Sequence, residues 1–242
     1  MIKVEEWDGL QTNVVIHGAF EEVYKKAQIR ADLLVTSPPY PTSTTRYIPS
    51  LGGNVNDRTV TRNRLYSKSH AKVGESDYLR WAQLCIGFAP LVFFNIPARV
   101  LDYDLGAKPF NHVVWVKTNG AVPFAHKGVV RFHEFILLFG DHKRLNKPMR
   151  SVWEMASQRG SDHPAPFPIN LPARAIHYGS KPGDLVFDPF GGSGTTAAVA
   201  KAMNRRWLTC DTEQEFCEMM DDRIARVRTS GDGSQLGGRE GN

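Results

Sequence analysis

Apolar and polar positions follow two patterns along the chain. Short apolar runs bounded by turn residues predict buried strands, and longer stretches with apolar residues at helical spacing predict helices. The predicted strands are residues 12–18, 31–37, 90–96, 112–118, 133–141, 184–190 and 206–212. The predicted helices are residues 19–30, 75–89, 169–180, 194–204 and 213–228. Because strands alternate with helices, we expect a largely parallel, doubly wound sheet with helices on both faces.

Two parts of the chain depart from this alternation. The β-rich runs 112–118 and 133–141 have no predicted helix between them, which favours an antiparallel pair across a long connection. Residues 147–168 are proline-rich and are predicted to be irregular. No linker divides the chain, so residues 1–228 are predicted to form a single domain, and the Gly-rich tail 229–242 is predicted to be disordered.

Composition limits the class of protein. The 242 residues are 41% hydrophobic and 23% charged, which is ordinary for a soluble globular protein. No apolar run approaches the roughly 20 residues of a membrane span, and the first residues lack a signal-peptide pattern, so we expect a cytoplasmic protein with no membrane partner. The cysteines Cys85, Cys210 and Cys217 have no CxxC spacing, which predicts reduced packing residues and no metal site.

The net charge of +5 is concentrated in one stretch, residues 41–72, which holds six basic residues and one acidic residue. The basic residues are Arg46, Arg58, Arg62, Arg64, Lys68 and Lys72. The stretch lacks apolar periodicity and is predicted to be a long loop. Taken alone, it fits either a solvated surface loop or a site for a polyanion.

A buried strand ends abruptly at "LLVTSPPY", residues 33–40. Pro38 and Pro39 remove two backbone N–H donors and fix φ at both positions, so neither strand nor helix continues through them. The result is a rigid kink flanked by the Ser37 hydroxyl and the Tyr40 ring. The tetrapeptide alone is also compatible with a loop whose tyrosine packs on the core.

A second segment, "DLVFDPFGGSGTTAAVA" (184–200), has the order strand, glycine turn, helix. This arrangement lets bare backbone approach a ligand at a helix N-terminus. About 20 residues after the turn, Asp211 ends the next predicted strand, where a carboxylate can accept hydrogen bonds from ribose hydroxyls. The turn has neither the lysine of a triphosphate-binding loop nor the GxGxxG spacing of a dinucleotide site.

Together, "TSPPY" and "DPFGGSGTT" resemble the motifs of the β-class DNA amino-methyltransferases that use S-adenosylmethionine, in which the catalytic motif precedes the cofactor motif. The resemblance covers most of residues 12–225. It implies a Rossmann-like methyltransferase fold with circularly permuted motif order and an antiparallel hairpin at one edge of the sheet. Methylation of cytosine C5 would need a thiolate, usually after a proline, and none of the three cysteines follows one.

The resemblance also implies site residues. The catalytic residues are Ser37, Pro38, Pro39 and Tyr40, in which Ser37 and the Pro38 carbonyl accept from the target amine and Tyr40 stacks on the flipped base. The cofactor-binding residues are Thr36, Phe167, Asp188, Pro189, Phe190, Gly191, Gly192, Ser193, Gly194, Thr195 and Asp211.

With this assignment, residues 41–72 are expected to contact DNA phosphates. Residues 141–150 occupy the family's target-recognition position and carry the predicted DNA-binding residues Lys143, Arg144, Lys147 and Arg150. Because this segment is short, base reading is either shared with residues 41–72 or supplied by a second subunit of a homodimer.

The leading hypothesis is transfer of a methyl group to the N4 amine of cytosine in double-stranded DNA, because Ser37 precedes Pro-Pro and this position is more often Ser in cytosine enzymes and Asp in adenine enzymes. The alternatives are N6 methylation of adenine, methylation of RNA or a protein amide, and a catalytically silent DNA-binding module. A cognate restriction enzyme is a further partner that the resemblance allows.

Overall fold

A computed structural model of the chain describes residues 1–41, 73–120, 131–158 and 167–228. The predicted basic residues of the loop 41–72 and the predicted disordered tail 229–242 lie outside these ranges.

Nine strands and five α-helices form in the described ranges. The seven predicted strands and the five predicted helices lie close to their predicted bounds, whereas the strands at residues 2–3 and 152–155 were not predicted. The strands are β1 Ile2–Lys3, β2 Val14–His17, β3 Leu33–Thr36, β4 Leu91–Pro97, β5 Asn111–Lys117, β6 His133–Gly140, β7 Val152–Met155, β8 Leu185–Asp188 and β9 Arg206–Asp211. The helices are α1 Phe20–Lys26, α2 Glu75–Phe88, α3 Asn170–Gly179, α4 Thr195–Ala202 and α5 Gln214–Ala225. None of the helices among these described residues is long and apolar enough to cross a membrane.

All of these strands belong to one sheet, in the order β1-β2-β9-β8-β3-β4-β6-β5-β7. The pairs from β1 through β4 are parallel, and β6 is antiparallel to both of its neighbours, β4 and β5. The predicted fold class, a mostly parallel sheet with an antiparallel hairpin, is therefore confirmed.

Strand β7 was not predicted, and the irregular structure expected across 147–168 is wrong for this part. Its side chains alternate strictly: Val152 and Glu154 are exposed, whereas Trp153 and Met155 are buried. β7 pairs in parallel with β5, so the predicted hairpin lies one strand inside the edge of the sheet. The alternation covers only four residues among prolines, which is too short to stand out in the sequence.

Helices cover both faces of the sheet, as the doubly wound prediction requires. One core layer packs against α3, α4 and α5 and contains Phe93 and Trp153, whose rings stack with centroids 6.4 Å apart. The other layer packs against α1 and α2 and contains Phe88 and Phe187, with centroids 4.8 Å apart. The three cysteines are free and buried.

The sheet reverses its winding between β3 and β8, which pair through Leu33 with Val186 and Leu34 with Phe187. From β3 the chain proceeds through α2 to β4 on one side, and from β8 it proceeds through α4 to β9 on the other side. In sheets of this kind, the crevice at the carboxyl ends of such strands is where ligands bind. Both motifs recognised in the sequence leave the sheet at this position.

Candidate active site

The Ser-Pro-Pro-Tyr segment forms the loop that leaves β3. The parallel pairing of β3 with β4 ends at Thr36 opposite Phe94, immediately before the two prolines. The Ser37 hydroxyl donates to Asn95 Oδ1 at 3.0 Å, and the Tyr40 hydroxyl lies 3.0 Å from the same oxygen. The two hydroxyls are also 3.1 Å apart. Asn95 of β4 thus fixes the two ends of the proline kink.

An ion pair extends this network across the sheet. The Tyr40 hydroxyl lies 3.3 Å from Glu134 Oε2 of β6, and the other oxygen of Glu134 contacts the Lys117 ammonium of β5. Lys117 also lies 4.8 Å from the centre of the Trp115 ring. Burial of the Tyr40 hydroxyl and the nearby Glu134 charge raise the pKa of Tyr40 well above its usual value, so the hydroxyl keeps its proton.

The predicted glycine turn links β8 to α4. Gly192 and Gly194 have positive φ values of 51° and 73°, which favour glycine. A Cβ on Gly191 would lie 2.2 Å from Thr209 Oγ1 and 2.4 Å from Met220 Sδ. The close packing of the turn against α5 therefore requires glycine at Gly191 and Gly194, independently of any ligand.

Two carboxyl groups end the strands on either side of this turn. Asp211 Oδ2 accepts from the Gly192 N–H and Oδ1 from the Glu213 N–H, both at 3.0 Å. Asp188 Oδ1 accepts from the Thr36 hydroxyl at 2.7 Å and from the Phe190 N–H at 3.2 Å. Burial raises the pKa of each carboxyl from 3.8 to about 6, and these hydrogen bonds limit the rise.

This arrangement fits a nucleoside ligand. A carboxylate has roughly four acceptor positions, and only two of those on Asp211 are used by backbone N–H groups. The remaining positions can accept from the two hydroxyls of a ribose. The group is already largely removed from water, so a ligand hydroxyl would restore a hydrogen bond that burial has removed.

The other predicted cofactor residues lie around the same turn, with different environments. Thr36 is fully buried, so its hydroxyl serves to support Asp188. Phe190 is half-buried, and its ring centre lies 5.1 Å from that of Trp81 and 5.7 Å from that of Phe20. Phe167 is partly buried at the start of the segment that leads into α3, against the core layer of α3, α4 and α5.

Ser193 and Thr195 are buried within the turn, with their hydroxyls 3.1 Å apart. Arg223 of α5 donates to Thr195 Oγ1 at 2.6 Å. The carbonyl of Pro189 accepts from the Cys210 thiol at 3.2 Å. These contacts hold the turn in place between α4, α5 and β9.

The predicted target-recognition segment 141–150 begins at the amino ends of the central strands, whereas Ser37 follows the carboxyl end of β3. Strand β6 runs antiparallel to β4, so its last residue, Gly140, is opposite the first residue of β4, Leu91. The Asp141 N–H donates to the Pro90 carbonyl, and Asn146 bonds to the carbonyls of His177 and Ser180 at the end of α3.

The assignment of 141–150 to base reading stays a prediction, and the described contacts of its basic residues are with other parts of the chain. Arg144 pairs at 3.5 Å with Asp32, which precedes β3, and the Lys147 ammonium lies 5.3 Å from the centre of the Tyr178 ring. Arg150 stands two residues before β7, whose first residue, Val152, pairs with Val114 of β5. The other predicted DNA-binding residues, Arg46, Arg58, Arg62, Arg64, Lys68 and Lys72, lie outside the described residues.

Sequence reasoning missed Asn95, Glu134, Lys117 and Arg223. A usable signal existed for Asn95, because it is the one amide in the otherwise apolar strand "LVFFNIP" and is 1% exposed. Buried polar residues in such strands are normally hydrogen-bonded for a reason. Glu134 and Lys117 are connected to the catalytic loop only through the register of β4, β5 and β6, which the sequence did not provide.

A doubly wound sheet whose winding reverses between a glycine turn and a proline-kinked loop places a ligand-binding crevice between the two motifs, as in Rossmann-like α/β proteins. Residues 31–222 match the family model described as DNA methylase, which covers N6- and N4-acting methyltransferases. Since the match includes more than half of the chain, the protein belongs to this DNA amino-methyltransferase family.

Two curated relatives are Type II methyltransferases. M.HinfI of Haemophilus influenzae is 31% identical over 142 residues, which cover 49% of this chain and 40% of the relative. M.HpaI of Haemophilus parainfluenzae is 26% identical over 223 residues, which cover 80% of this chain and 68% of the relative. The chain thus matches less than half the length of M.HinfI.

Solved structures share the fold. The M1.HpyAVI–SAM complex matches with a TM-score of 0.59 at 20% identity, over 87% of this chain and 98% of that one. The cytosine-N4-specific PvuII DNA methyltransferase matches with a TM-score of 0.59 at 17% identity, over 93% and 90% of the two chains. The homodimer, the cognate restriction enzyme and the cytoplasmic location stay predictions from the sequence.

The raised pKa of Asp188 predicts a pH-dependent stability difference. Because the folded-state pKa lies above 3.8, the wild type loses stability as pH rises from about 4 to about 6, whereas Asp188→Asn does not lose this contribution. We expect the free energy of unfolding of the variant minus that of wild type to be about 2 kcal/mol higher at about pH 7.5 than at about pH 4.5, so the variant is relatively more stable at the higher pH. Urea unfolding of the ligand-free protein at both pH values measures this, and equal differences would contradict it.

Proposed function

We propose that the protein transfers a methyl group from S-adenosylmethionine to the exocyclic N4 amine of cytosine in double-stranded DNA. The observation that carries the proposal is the position of the Ser37 hydroxyl, fixed by Asn95 at the carboxyl end of β3, one strand away from the Asp188 end of β8. The Thr36–Asp188 hydrogen bond of 2.7 Å connects the catalytic loop to the turn that would hold the cofactor.

The cofactor would be held by the turn between β8 and α4 and by Asp211. S-Adenosylmethionine supplies an electrophilic methyl group on a sulfonium. Asp211 would accept from the ribose hydroxyls, and the Gly191–Gly194 turn would lie beside the methionine moiety. The SAM complex of M1.HpyAVI, which shares this fold, supports the choice of cofactor.

Ser37 and Pro38 would prepare the target amine. The lone pair of an exocyclic amine is delocalised into the base, which makes the nitrogen a weak nucleophile. Acceptors on its two N–H groups, the Ser37 hydroxyl and the Pro38 carbonyl, favour a pyramidal nitrogen whose lone pair is directed out of the ring plane. The prolines hold both acceptors before the base arrives, which is worth several kcal/mol in comparable pre-organised sites.

Tyr40 would stack on the flipped base. Its hydroxyl is anchored to Asn95 and Glu134, while the residue as a whole stays partly exposed. An anchored ring loses little conformational entropy when a base stacks on it. Stacking of this kind contributes roughly 1–3 kcal/mol per base.

DNA would be bound at the carboxyl edge of the sheet. Pro41 and Val73, the described residues that flank the basic stretch, lie at the end of β3 and just before α2, beside the catalytic loop. The basic residues between them would contact phosphates near the flipped base. Family membership favours DNA over RNA or a protein amide as the substrate.

The choice of cytosine N4 rests on Ser37. A hydroxyl can accept one hydrogen bond while donating another, whereas a carboxylate only accepts, so the two side chains suit different base edges. The fold similarity to the cytosine-N4-specific PvuII enzyme is consistent with this choice. Adenine N6 is the second candidate, because the family includes enzymes of both kinds.

The cofactor assignment predicts pH-dependent binding. Asp211 would accept ribose hydroxyls best when ionised, and its raised pKa of about 6 means that protonation competes with the ligand below that pH. Calorimetry should show S-adenosylmethionine binding weakened about tenfold between about pH 7.5 and about pH 5. Asp211→Ala should abolish or greatly weaken binding, whereas Glu218→Gln, an exposed acid of α5, should not. Unchanged affinity in Asp211→Ala would remove the ribose assignment.

The substrate assignment predicts the methylated base. DNA treated with the protein and S-adenosylmethionine, then digested to nucleosides, should contain N4-methylcytosine by mass spectrometry. Ser37→Ala should lower kcat more than cofactor affinity, because Ser37 contacts the amine and not the cofactor. N6-methyladenine as the only product would refute cytosine specificity and leave the family assignment intact.

The DNA-binding assignment predicts that the salt dependence of DNA binding changes most when basic residues near the carboxyl ends of the strands are removed. Each phosphate contact contributes about 0.9 to the log–log salt slope of DNA binding, so Arg62→Ala with Arg64→Ala should make the slope shallower by about 2. The comparison pair is Lys143→Ala with Arg144→Ala, which removes the same charge near the amino ends of the central strands, where Arg144 pairs with Asp32; we expect the slope to change less in this pair. A wild-type slope in the first pair would identify residues 41–72 as a solvated loop.

A further inference from the structure

We infer that Asn95 is a positioning residue that fixes the Ser37 hydroxyl as a hydrogen-bond acceptor for the target amine. The inference rests on the proposed function and extends it, because it assigns a role to a residue outside the catalytic loop.

Strand geometry brings four polar side chains onto one face of the sheet. Val35 pairs with Phe93 in the parallel β3–β4 ladder, and the two-residue repeat then places Ser37 beside Asn95. Glu134 of β6 shares a face with Ile136, the partner of Asn95, and Trp115 of β5 is the partner of Glu134. Lys117 follows Trp115 by two residues. The row Ser37, Asn95, Glu134, Lys117 therefore crosses β3, β4, β6 and β5 at the carboxyl edge.

The orientation of the Asn95 amide is set by backbone. Its Nδ2 donates to the Phe135 carbonyl at 3.1 Å, and a carbonyl oxygen can only accept. This bond directs Oδ1 toward the catalytic loop. Oδ1 has no proton to give, so the Ser37 hydroxyl, 3.0 Å away, must be the donor.

The consequence is a defined polarity at Ser37. Its only proton is engaged by Asn95, so the lone pairs of Oγ are what remain for an incoming N–H group. If Ser37 instead pointed its proton at the base, it would oppose an N–H of the amine and could not accept from it. Asn95 excludes that rotamer of the hydroxyl.

Tyr40 and the ion pair reinforce this polarity. The Tyr40 hydroxyl can donate to Asn95 Oδ1 at 3.0 Å or to Glu134 Oε2 at 3.3 Å. The other oxygen of Glu134 accepts from the Lys117 ammonium. The Tyr40 proton therefore has acceptors other than Ser37.

The test uses a pair of variants that differ by one hydroxyl. Asn95→Thr and Asn95→Val have the same shape and suit a strand, but only threonine can donate to the Phe135 carbonyl while accepting from Ser37. We expect Asn95→Val to lower kcat for DNA methylation at least tenfold and Asn95→Thr to retain at least five times the kcat of Asn95→Val. The affinities for S-adenosylmethionine by calorimetry and for DNA should stay within about twofold of wild type in both variants, because the network positions Ser37 and not the ligands.

A double-mutant cycle separates positioning from general damage. In a Ser37→Ala background, Asn95→Val should change kcat less than twofold, because the group through which it acts is absent. Ile96→Val, the next buried residue of β4, is the control and should leave kcat and the thermal midpoint close to wild type. Equal kcat values for the threonine and valine variants, or the same loss from Asn95→Val with and without Ser37, would overturn the inference. A wild-type protein that binds S-adenosylmethionine but methylates no DNA would overturn the proposed function and this inference with it.

Discussion

The hydrogen bond from Thr36 to Asp188 joins the two halves of the candidate site at the point where the winding of the sheet reverses. Both groups are buried, so neither can exchange this bond for water without opening the β3–β8 seam. The bond therefore sets the spacing between the loop that begins at Ser37 and the turn that begins at Pro189. A change at this seam moves the catalytic loop relative to the glycine turn, since each follows directly from one partner of the bond.

Burial of charge at this edge opposes stability and favours binding. Asp188 and Asp211 end adjacent strands with carboxyl groups whose pKa values are raised to about 6 by desolvation. Each carboxyl accepts two hydrogen bonds from the protein, which offset only part of the cost of burying its charge. The ligand-free protein thus keeps carboxylate oxygens that the hydroxyls of a ligand can hydrogen-bond. Part of the binding free energy then comes from reducing the desolvation penalty that these carboxylates already carry. The glycines of the turn have a different role from the two carboxyl groups. Gly191 and Gly194 are required by packing against Met220, whether or not a ligand is bound.

The predicted strands and helices of the described regions formed within a few residues because their apolar periodicity is strong and their ends carry Gly, Pro or Asp. The motifs also identified Ser37, Asp188 and Asp211, which the sheet brings to one edge. The sequence did not show the register in which the strands pair. Asn95 is 58 positions from Ser37 along the chain, and Glu134 is 94 positions from Tyr40, in segments that looked merely apolar. Only the pairing of β3, β4, β6 and β5 makes these residues neighbours.

The direction of β6 explains why the sequence position of residues 141–150, between the two motifs, did not predict where this segment begins in the sheet. Since β5 is parallel to the central strands, β6 must return to their amino ends, and the segment 141–150 begins there before it leads into β7. Three connections of the chain have their described end residues at the carboxyl ends of the strands. These end residues are Pro41 and Val73, Gly120 and Arg131, and Gln158 and Phe167. A duplex whose flipped base reaches Ser37 must approach from this edge. Two of the basic residues that follow β6 have partners away from this edge, since Arg144 pairs with Asp32 before β3 and Lys147 lies over the Tyr178 ring of α3.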